Sequence, residues 1–324
     1  MEWLKLKAWL LEKGTVRLAG SEAAPYISIS AAGPGAGGGG SVFFSNGRGR
    51  VRLSLDLESP NELVHLGGGK AVLKIHGQEI EGHLQPVALH CPRQAYITLS
   101  GGCVYRCRYC EVPFMGHGRK TPEQIQALVE SVADRIDSIS ITSGVMYDLE
   151  EEEAYVLAVV RRLREFGIPV GVSIFPGKYS AERLFASGVS EVKFNIEAAT
   201  AEIFAGMCPG LDWNAVWEAL EESVQLFGRG HVFSNLIIGL GETDEEAEEC
   251  IRALCGKGVI PVLRPLNPAG ELKSWKRPSA ERLIRLFSIH RGALKEAGLD
   301  PRTAVTMCSA CTGCDLVPGR DAPL

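Results

Sequence analysis

With 324 residues, 45% hydrophobic and 23% charged, the chain is long enough to bury a large core and has the composition of a globular protein. Its net charge of −5 repels nucleic acid overall, and Arg48, Arg50 and Arg52 read as a solvated strand face, which makes a nucleic-acid partner unlikely as an expectation. No segment approaches the roughly 18 consecutive apolar residues of a membrane span, so a cytoplasmic protein is expected.

The opening run MEWLKLKAWLLEKG is amphipathic, interrupted by charges and followed by no small-residue cleavage site, so it does not read as a signal peptide. Residues 1–92 read as a small β-rich module, because RVRLSLDL and KAVLKIHGQEIEGHL alternate with period two between Gly and Asn punctuation. The run GPGAGGGG at 33–40 lacks a following Lys-Ser/Thr, so it reads as a mobile hairpin loop and not as a phosphate cradle.

Over residues 93–298 the pattern changes to alternating strands and helices. Strands are expected at 95–100, 138–142, 169–175, 191–196, 231–238 and 259–266, and helices at 122–134, 150–166, 181–187, 212–227, 243–255 and 279–297. Thr121-Pro122-Glu123 and Thr243-Asp244-Glu245-Glu246 are helix-start signals. Repeated βα units imply parallel strands joined by right-handed crossovers. Eight close a full barrel, so six predict an α/β fold, a partial (β/α)6 TIM-like barrel with functional residues at the C-terminal strand ends. Residues 299–324 form a cysteine-rich tail.

Ten cysteines in a reducing compartment point to metal or catalysis before disulfides where they cluster. Cys103, Cys107 and Cys110 follow the first barrel strand in C-x3-C-x2-C spacing. Thiolates ligate iron–sulfur clusters, and three of them on a four-iron cubane leave one iron open to a substrate or cofactor. The competing reading is a closed zinc or four-cysteine site that borrows a distant cysteine.

This loop, with Tyr109 just before its last cysteine, resembles the radical S-adenosylmethionine (SAM) superfamily over about residues 95–270. The resemblance implies a 4Fe–4S cluster whose open iron is chelated by SAM, an electron donor, and cleavage of SAM to a 5′-deoxyadenosyl radical that abstracts hydrogen. It also implies cofactor contacts at further strand ends. Thr142, Ser143 and Gly144 stand where the family has a Gly-Gly-Glu segment, here without the acid. Asn195 and Glu197 match the ribose and methionine contacts. Gly239 and Gly241 in NLIIGLGET match the adenine-side glycines, with Asn235 replacing the first glycine of that motif. Arg264 is expected at the SAM carboxylate, with a structural ion pair as the competitor. Cys250 and Cys255 read as core thiols, Cys208 lies in a turn without an assigned role, and His117 reads as a solvated loop imidazole or a proton carrier.

Cys308, Cys311 and Cys314, in C-x2-C-x2-C spacing, read as a second metal site, with iron favoured over zinc and Cys91 as the candidate fourth ligand. A strand at 303–307 would carry Cys308 toward the catalytic end and away from Cys91. The loop CVYRCRYCEVP and the tail CTGCDLVPGRD together resemble the cobalamin-dependent radical SAM methyltransferases of methanogenesis marker family ten, which C-methylate an arginine of methyl-coenzyme M reductase. That resemblance implies methylcobalamin as methyl donor and the large reductase subunit as protein partner. In that family a cobalamin-binding region follows the tail, whereas this sequence ends at Leu324. Three readings stay open: a longer chain, cobalamin held by another chain, or a cobalamin-free reaction on a peptide or RNA. A non-catalytic iron–sulfur protein is the alternative from another class.

Overall fold

The structure, a computed structural model, describes residues 2–20, 22–29, 39–116 and 118–324. Positions 33–38 of the glycine-rich run and His117 lie outside the described residues.

The N-terminal module begins with a helix, α1 (Trp3–Lys13), which the expectation of a β-rich module did not include. Its apolar face carries Trp3, Leu6, Leu10 and Leu11 into the module core, and Gly14 ends it at φ 74°. Seven strands follow: β1 (Thr15–Gly20), β2 (Ser28–Ile29), β3 (Gly40–Ser45), β4 (Arg50–Leu55), β5 (Glu62–Gly67), β6 (Lys70–Ile75) and β7 (Gln78–Leu84). Their order is β2-β3-β4-β1-β5-β6-β7, and an added β3–β7 pairing closes the sheet on itself, so that strands β3 and β7 are not left as bare edges. Val51, Leu53, Leu63 and Leu73 point into this small barrel, as period-two alternation requires.

The second sheet holds β8 (His90–Cys91), β9 (Gln94–Thr98), β10 (Ser138–Thr142), β11 (Val170–Ser173), β12 (Glu191–Lys193), β13 (Val232–Ile238) and β14 (Ile260–Pro265) in sequential order. Strands β9 to β14 are parallel, and β8 is an antiparallel edge on β9. Among the described residues nothing pairs β8 with β14, so the sheet is a partial barrel, the α/β architecture expected from six βα units. His90 and Cys91, assigned by sequence to the N-terminal module, belong to this sheet.

The helices are α2 (Pro122–Glu130), α3 (Leu149–Leu163), α4 (Ser180–Ala186), α5 (Ala201–Met207), α6 (Trp213–Phe227), α7 (Asp244–Lys257), α8 (Ala280–Ala297) and the short α9 (Cys308–Cys311). Both sequence-level start signals are capping boxes, Thr121 with Gln124 and Thr243 with Glu246. Helix α5, seven residues capped by Thr200, was not anticipated. The N-terminal module and the barrel share packing, since Leu283 and Phe287 of α8 and Leu316 of the tail lie in the same apolar core as α1.

Residues 303–307 are not a strand; a 3-10 turn (Pro301–Thr303) leads into a bent segment that crosses the N-terminal ends of the barrel strands. The Glu191 carboxylate, at the start of β12, accepts from the backbone N–H groups of Val305 (2.9 Å) and Thr306 (2.8 Å). Gln94 Nε2, at the start of β9, donates to the Thr306 carbonyl at 2.5 Å. The tail therefore reaches the end of the barrel where Cys91 lies, which removes the geometric objection to bringing them together.

Candidate active site and a second cysteine cavity

The loop between β9 and α2 is strapped to its neighbours through its backbone. Val104 N donates to Val145 O (2.7 Å), Arg108 N to Met207 O (2.9 Å), and Cys110 N to Cys107 O (2.9 Å). Glu271 N, beyond β14, donates back to Arg108 O at 2.9 Å. These bonds hold Cys103, Cys107 and Cys110 at the C-terminal mouth of the barrel, where all three line one cavity of about 150 Å³ that opens to solvent.

The same cavity is lined by Thr142, Ser143, Gly144, Asn195, Glu197 and Tyr109. Gly144 packs so closely that an added Cβ would sit 2.2 Å from the carbonyl oxygen of Gly102, beside Cys103. Glu197 has φ +57°, an uncommon conformation for a residue with a Cβ, and its Oε2 has no hydrogen-bond partner. Burial raises its carboxyl to about 7 against the partial relief of Lys193, Asn195, Arg264 and Tyr109. A strained backbone and an unfilled acceptor in one cavity mark a position arranged for a ligand.

Burial also raises the Cys103 thiol, and it brings Cys110 up to about 12. Cys107 is raised chiefly by its side-chain contact with Cys208, and by burial. Thiols held protonated in this way are poor nucleophiles on their own, and they release protons only when a cation takes them as ligands. Three convergent thiols lining one open cavity and an unsatisfied carboxylate oxygen fit a cubane cluster with an open iron and a polar cofactor beside it. Among the described residues, no three His, Cys, Asp or Glu side chains are set at the spacing of a bound metal ion; the thiols converge without closing.

Two sequence expectations fall elsewhere. Gly239 (φ 111°) and Gly241 (φ 113°) shape the turn after β13 and are not among the residues lining the cysteine cavity. Glu242 holds that turn by accepting from Gly239 N (2.7 Å) and Leu240 N (2.8 Å) while pairing with Arg282 (2.9 Å). Arg264, expected at a SAM carboxylate, instead lines a second cavity, because its β14 register points it at the tail.

That second cavity brings together Cys91, Cys308, Cys311 and Cys314. Cys311 Sγ lies 3.3 Å from Cys91 Sγ, and Lys193 Nζ donates to Cys308 Sγ at 3.3 Å. The contact with Cys91 lowers Cys311 to about 7 and pushes Cys91 well up, a pair sharing one proton. Lys193 is held charged: burial alone would lower it, and Cys308 and Tyr96 beside it raise it. Arg264 is likewise raised, by Cys314, Cys308 and Asp315 against the effect of burial. One buried cation, Lys193, and one half-buried cation, Arg264, facing four thiols complement the −2 charge of a divalent metal bound by four thiolates. Asp315 Oδ1 and Asn235 Oδ1 also line this cavity without partners.

The N-terminal module holds this loop. Lys7 Nζ donates to Thr312 O (2.6 Å) and pairs with Asp321 (2.7 Å), both of these side chains fully buried. Arg52 N donates to Gly313 O at 2.7 Å.

Sequence reading missed Glu152 and Cys208. Glu152, in the first turn of α3, is buried and accepts from Ser100 Oγ (2.7 Å), Ser143 Oγ (2.6 Å) and Arg119 Nη2 (2.6 Å). It thus joins the cysteine loop to the β10 end. In the run LEEEE it looks like the exposed Glu150 and Glu151, and only the helical phase of the buried face it shares with Glu153 distinguishes it.

No helix among the described residues is long and apolar enough to cross a membrane. Residues 97–254 match the family model "Radical SAM superfamily". Curated relatives include lipoyl synthases from Corynebacterium aurimucosum, 26% identical over 64% of this chain and 58% of that protein, and from Corynebacterium urealyticum, 27% identical over 57% and 56%. The chain thus spans under three fifths of the length of these two relatives. Its fold is similar to a radical SAM methyltransferase from Sphaerobacter thermophilus (TM-score 0.52, 19% identity, 75% of this chain and 72% of that one). It is also similar to the FeFe-hydrogenase maturase HydG from Carboxydothermus hydrogenoformans (TM-score 0.52, 17% identity, 64% and 52%). Cysteine loop, parallel partial barrel and family match together make residues 97–254 a domain of the radical SAM superfamily.

Proposed function

We propose that this radical SAM enzyme C-methylates an sp3 carbon of an arginine in a protein, with methyl-coenzyme M reductase as substrate and methylcobalamin as methyl donor. The observation that carries the enzyme reading is the convergence of Cys103, Cys107 and Cys110 with the unsatisfied Glu197 carboxylate in one cavity. Cluster and SAM, when bound, supply a carbon-centred radical able to abstract hydrogen. The chain's own residues hold and shield that chemistry. The three thiols are the cluster ligands, Glu197 and Asn195 present acceptors to a polar cofactor, and Tyr105 and Phe175, ring centroids 6.2 Å apart, wall the cavity against water. Arginine as the target rests on the paired cysteine-loop and tail motifs. Cys91, Cys308, Cys311 and Cys314 are the residues that would hold a second metal, iron in this reading, with Lys193 and Arg264 compensating its thiolate charge.

A second reading, a cobalamin-independent radical reaction on a peptide or RNA, is compatible with relatives named lipoyl synthase. Anaerobic incubation of the metal-loaded protein with SAM, a reductant, methylcobalamin and an arginine-containing reductase peptide distinguishes the two. A methylated peptide, seen by mass spectrometry and dependent on cobalamin, supports the first reading. SAM cleavage with neither cobalamin binding nor methylated peptide overturns it.

A further inference from the structure

Cys208 is the C-cap residue of α5, fully buried and absent from every role considered so far. It stands behind the cysteine loop: Cys107 packs against the buried cluster that contains Cys208 and Tyr109, and Cys208 Sγ is 3.3 Å from the Tyr109 hydroxyl. It does not line the cofactor cavity, so it meets Cys107 from the protein side. The position is fixed. Cys208 N donates to Phe204 O (2.8 Å), Leu211 N donates to Cys208 O (3.2 Å), and Arg108 N ties the adjacent Met207 carbonyl to the cysteine loop (2.9 Å).

We infer that Cys208 is a positioning residue for the cluster, donating an S–H···S hydrogen bond to the Cys107 ligand, with the Tyr109 hydroxyl orienting it. The inference rests on the cluster reading of Cys103, Cys107 and Cys110. A thiolate bound to iron can only accept, so the single proton of Cys208 goes to Cys107, its most negative neighbour. The Tyr109 hydroxyl, whose one proton Cys208, Cys107 and the Glu197 carboxylate all compete for, stands 3.3 Å from Cys208 Sγ and fixes its position. Hydrogen bonds to the sulfurs are among the determinants of cluster potential. Donation to a ligand sulfur stabilises the reduced cluster, which carries one more negative charge, so Cys208 raises the potential. Cys208 is fully buried, which keeps water from substituting for the donor.

The test is an anaerobic redox titration of the cluster-loaded full chain, followed by EPR of the reduced state, for wild type, Cys208→Ala, Cys208→Ser, Cys208→Val and Tyr109→Phe. Cys208→Ala shifts the midpoint to more negative potential, read as a fall of about threefold or more in reduced-to-oxidised ratio at fixed poise, where tenfold is about 59 mV for one electron. Cys208→Ser keeps a donor and stays nearer the wild type, and Tyr109→Phe shifts less than Cys208→Ala in the same direction. Equal midpoints in Cys208→Ala and wild type overturn the inference, as do equal shifts in the Ala and Ser variants, which would mean packing alone. If Cys208→Ala holds no cluster, Cys208→Val against Cys208→Ser decides: a more negative midpoint in the Val variant supports the inference and equal midpoints overturn it. A wild-type chain that takes up no cluster would instead overturn the underlying cluster reading.

Discussion

Replacing Lys7 with methionine removes the N-terminal module's grip on the tail cysteine loop. Lys7 lies on the buried face of α1, with its Nζ 2.6 Å from Thr312 O and 2.7 Å from Asp321 Oδ2. Asp321 also accepts from Trp3 Nε1 (2.8 Å) and from Val317 N (2.8 Å), so the truncation leaves a fully buried carboxylate with two donors and no countercharge. Breaking a buried pair from one side costs about 3–5 kcal/mol, and the surviving donors place this one near 3. The Thr312 carbonyl loses a charged donor, about 1 kcal/mol more. Lys7→Met should therefore destabilise the chain by about 4 kcal/mol in equilibrium urea unfolding, with an unchanged m-value. Adding Asp321→Asn should recover part of that loss, because the neutral amide no longer needs a countercharge. A single variant within about 0.5 kcal/mol of wild type, or a double variant that loses the sum of both singles, would refute the assignment of Lys7 as a buried clamp.

In the cluster-free protein, burial raises the Glu197 carboxyl from 4.5 to about 7, so the folded state binds a proton more tightly than the unfolded chain. Its contribution is full below pH 4.5 and is lost as pH rises through about 7. Glu197→Gln should thus leave stability nearly unchanged at pH 4 and increase it by up to about 3 kcal/mol at pH 8; equal effects at both pH values would contradict this. Gly144→Ala puts a Cβ 2.2 Å from the Gly102 carbonyl oxygen, and should cost about 1–3 kcal/mol and sharply reduce cluster retention, read from bound iron per chain. Wild-type iron content in that variant would mean the loop has room. Cys311→Ala should lower metal content at the tail while sparing the Cys103, Cys107 and Cys110 cluster. Equal loss of both would mean the seven cysteines are partitioned wrongly.

The sequence made the barrel legible because its strands are short apolar runs separated by capped amphipathic helices, both local signals. Cys103, Cys107, Cys110, Asn195 and Glu197 were found together because each follows a strand, and a parallel barrel gathers strand ends on one face. Arg264 was misplaced because it is interior to β14, where the register decides which cavity a side chain faces. The approach of Cys91 to Cys311 depends on the Glu191 and Gln94 contacts that turn the tail under the barrel, across more than a hundred residues of chain. Helix α1 was read only as an amphipathic run, since its buried face gains meaning from α8 and the closed N-terminal sheet. Cys208 carries no sequence pattern at all; its neighbours come from a different loop.

The most direct test of the central claim is to load the full chain with iron and sulfide anaerobically, add SAM and dithionite, and quantify 5′-deoxyadenosine. The account predicts its formation by wild type and its loss in Cys103→Ala, Cys107→Ala and Cys110→Ala. Cluster-loaded wild type that leaves SAM intact, or product undiminished in the cysteine variants, would contradict it.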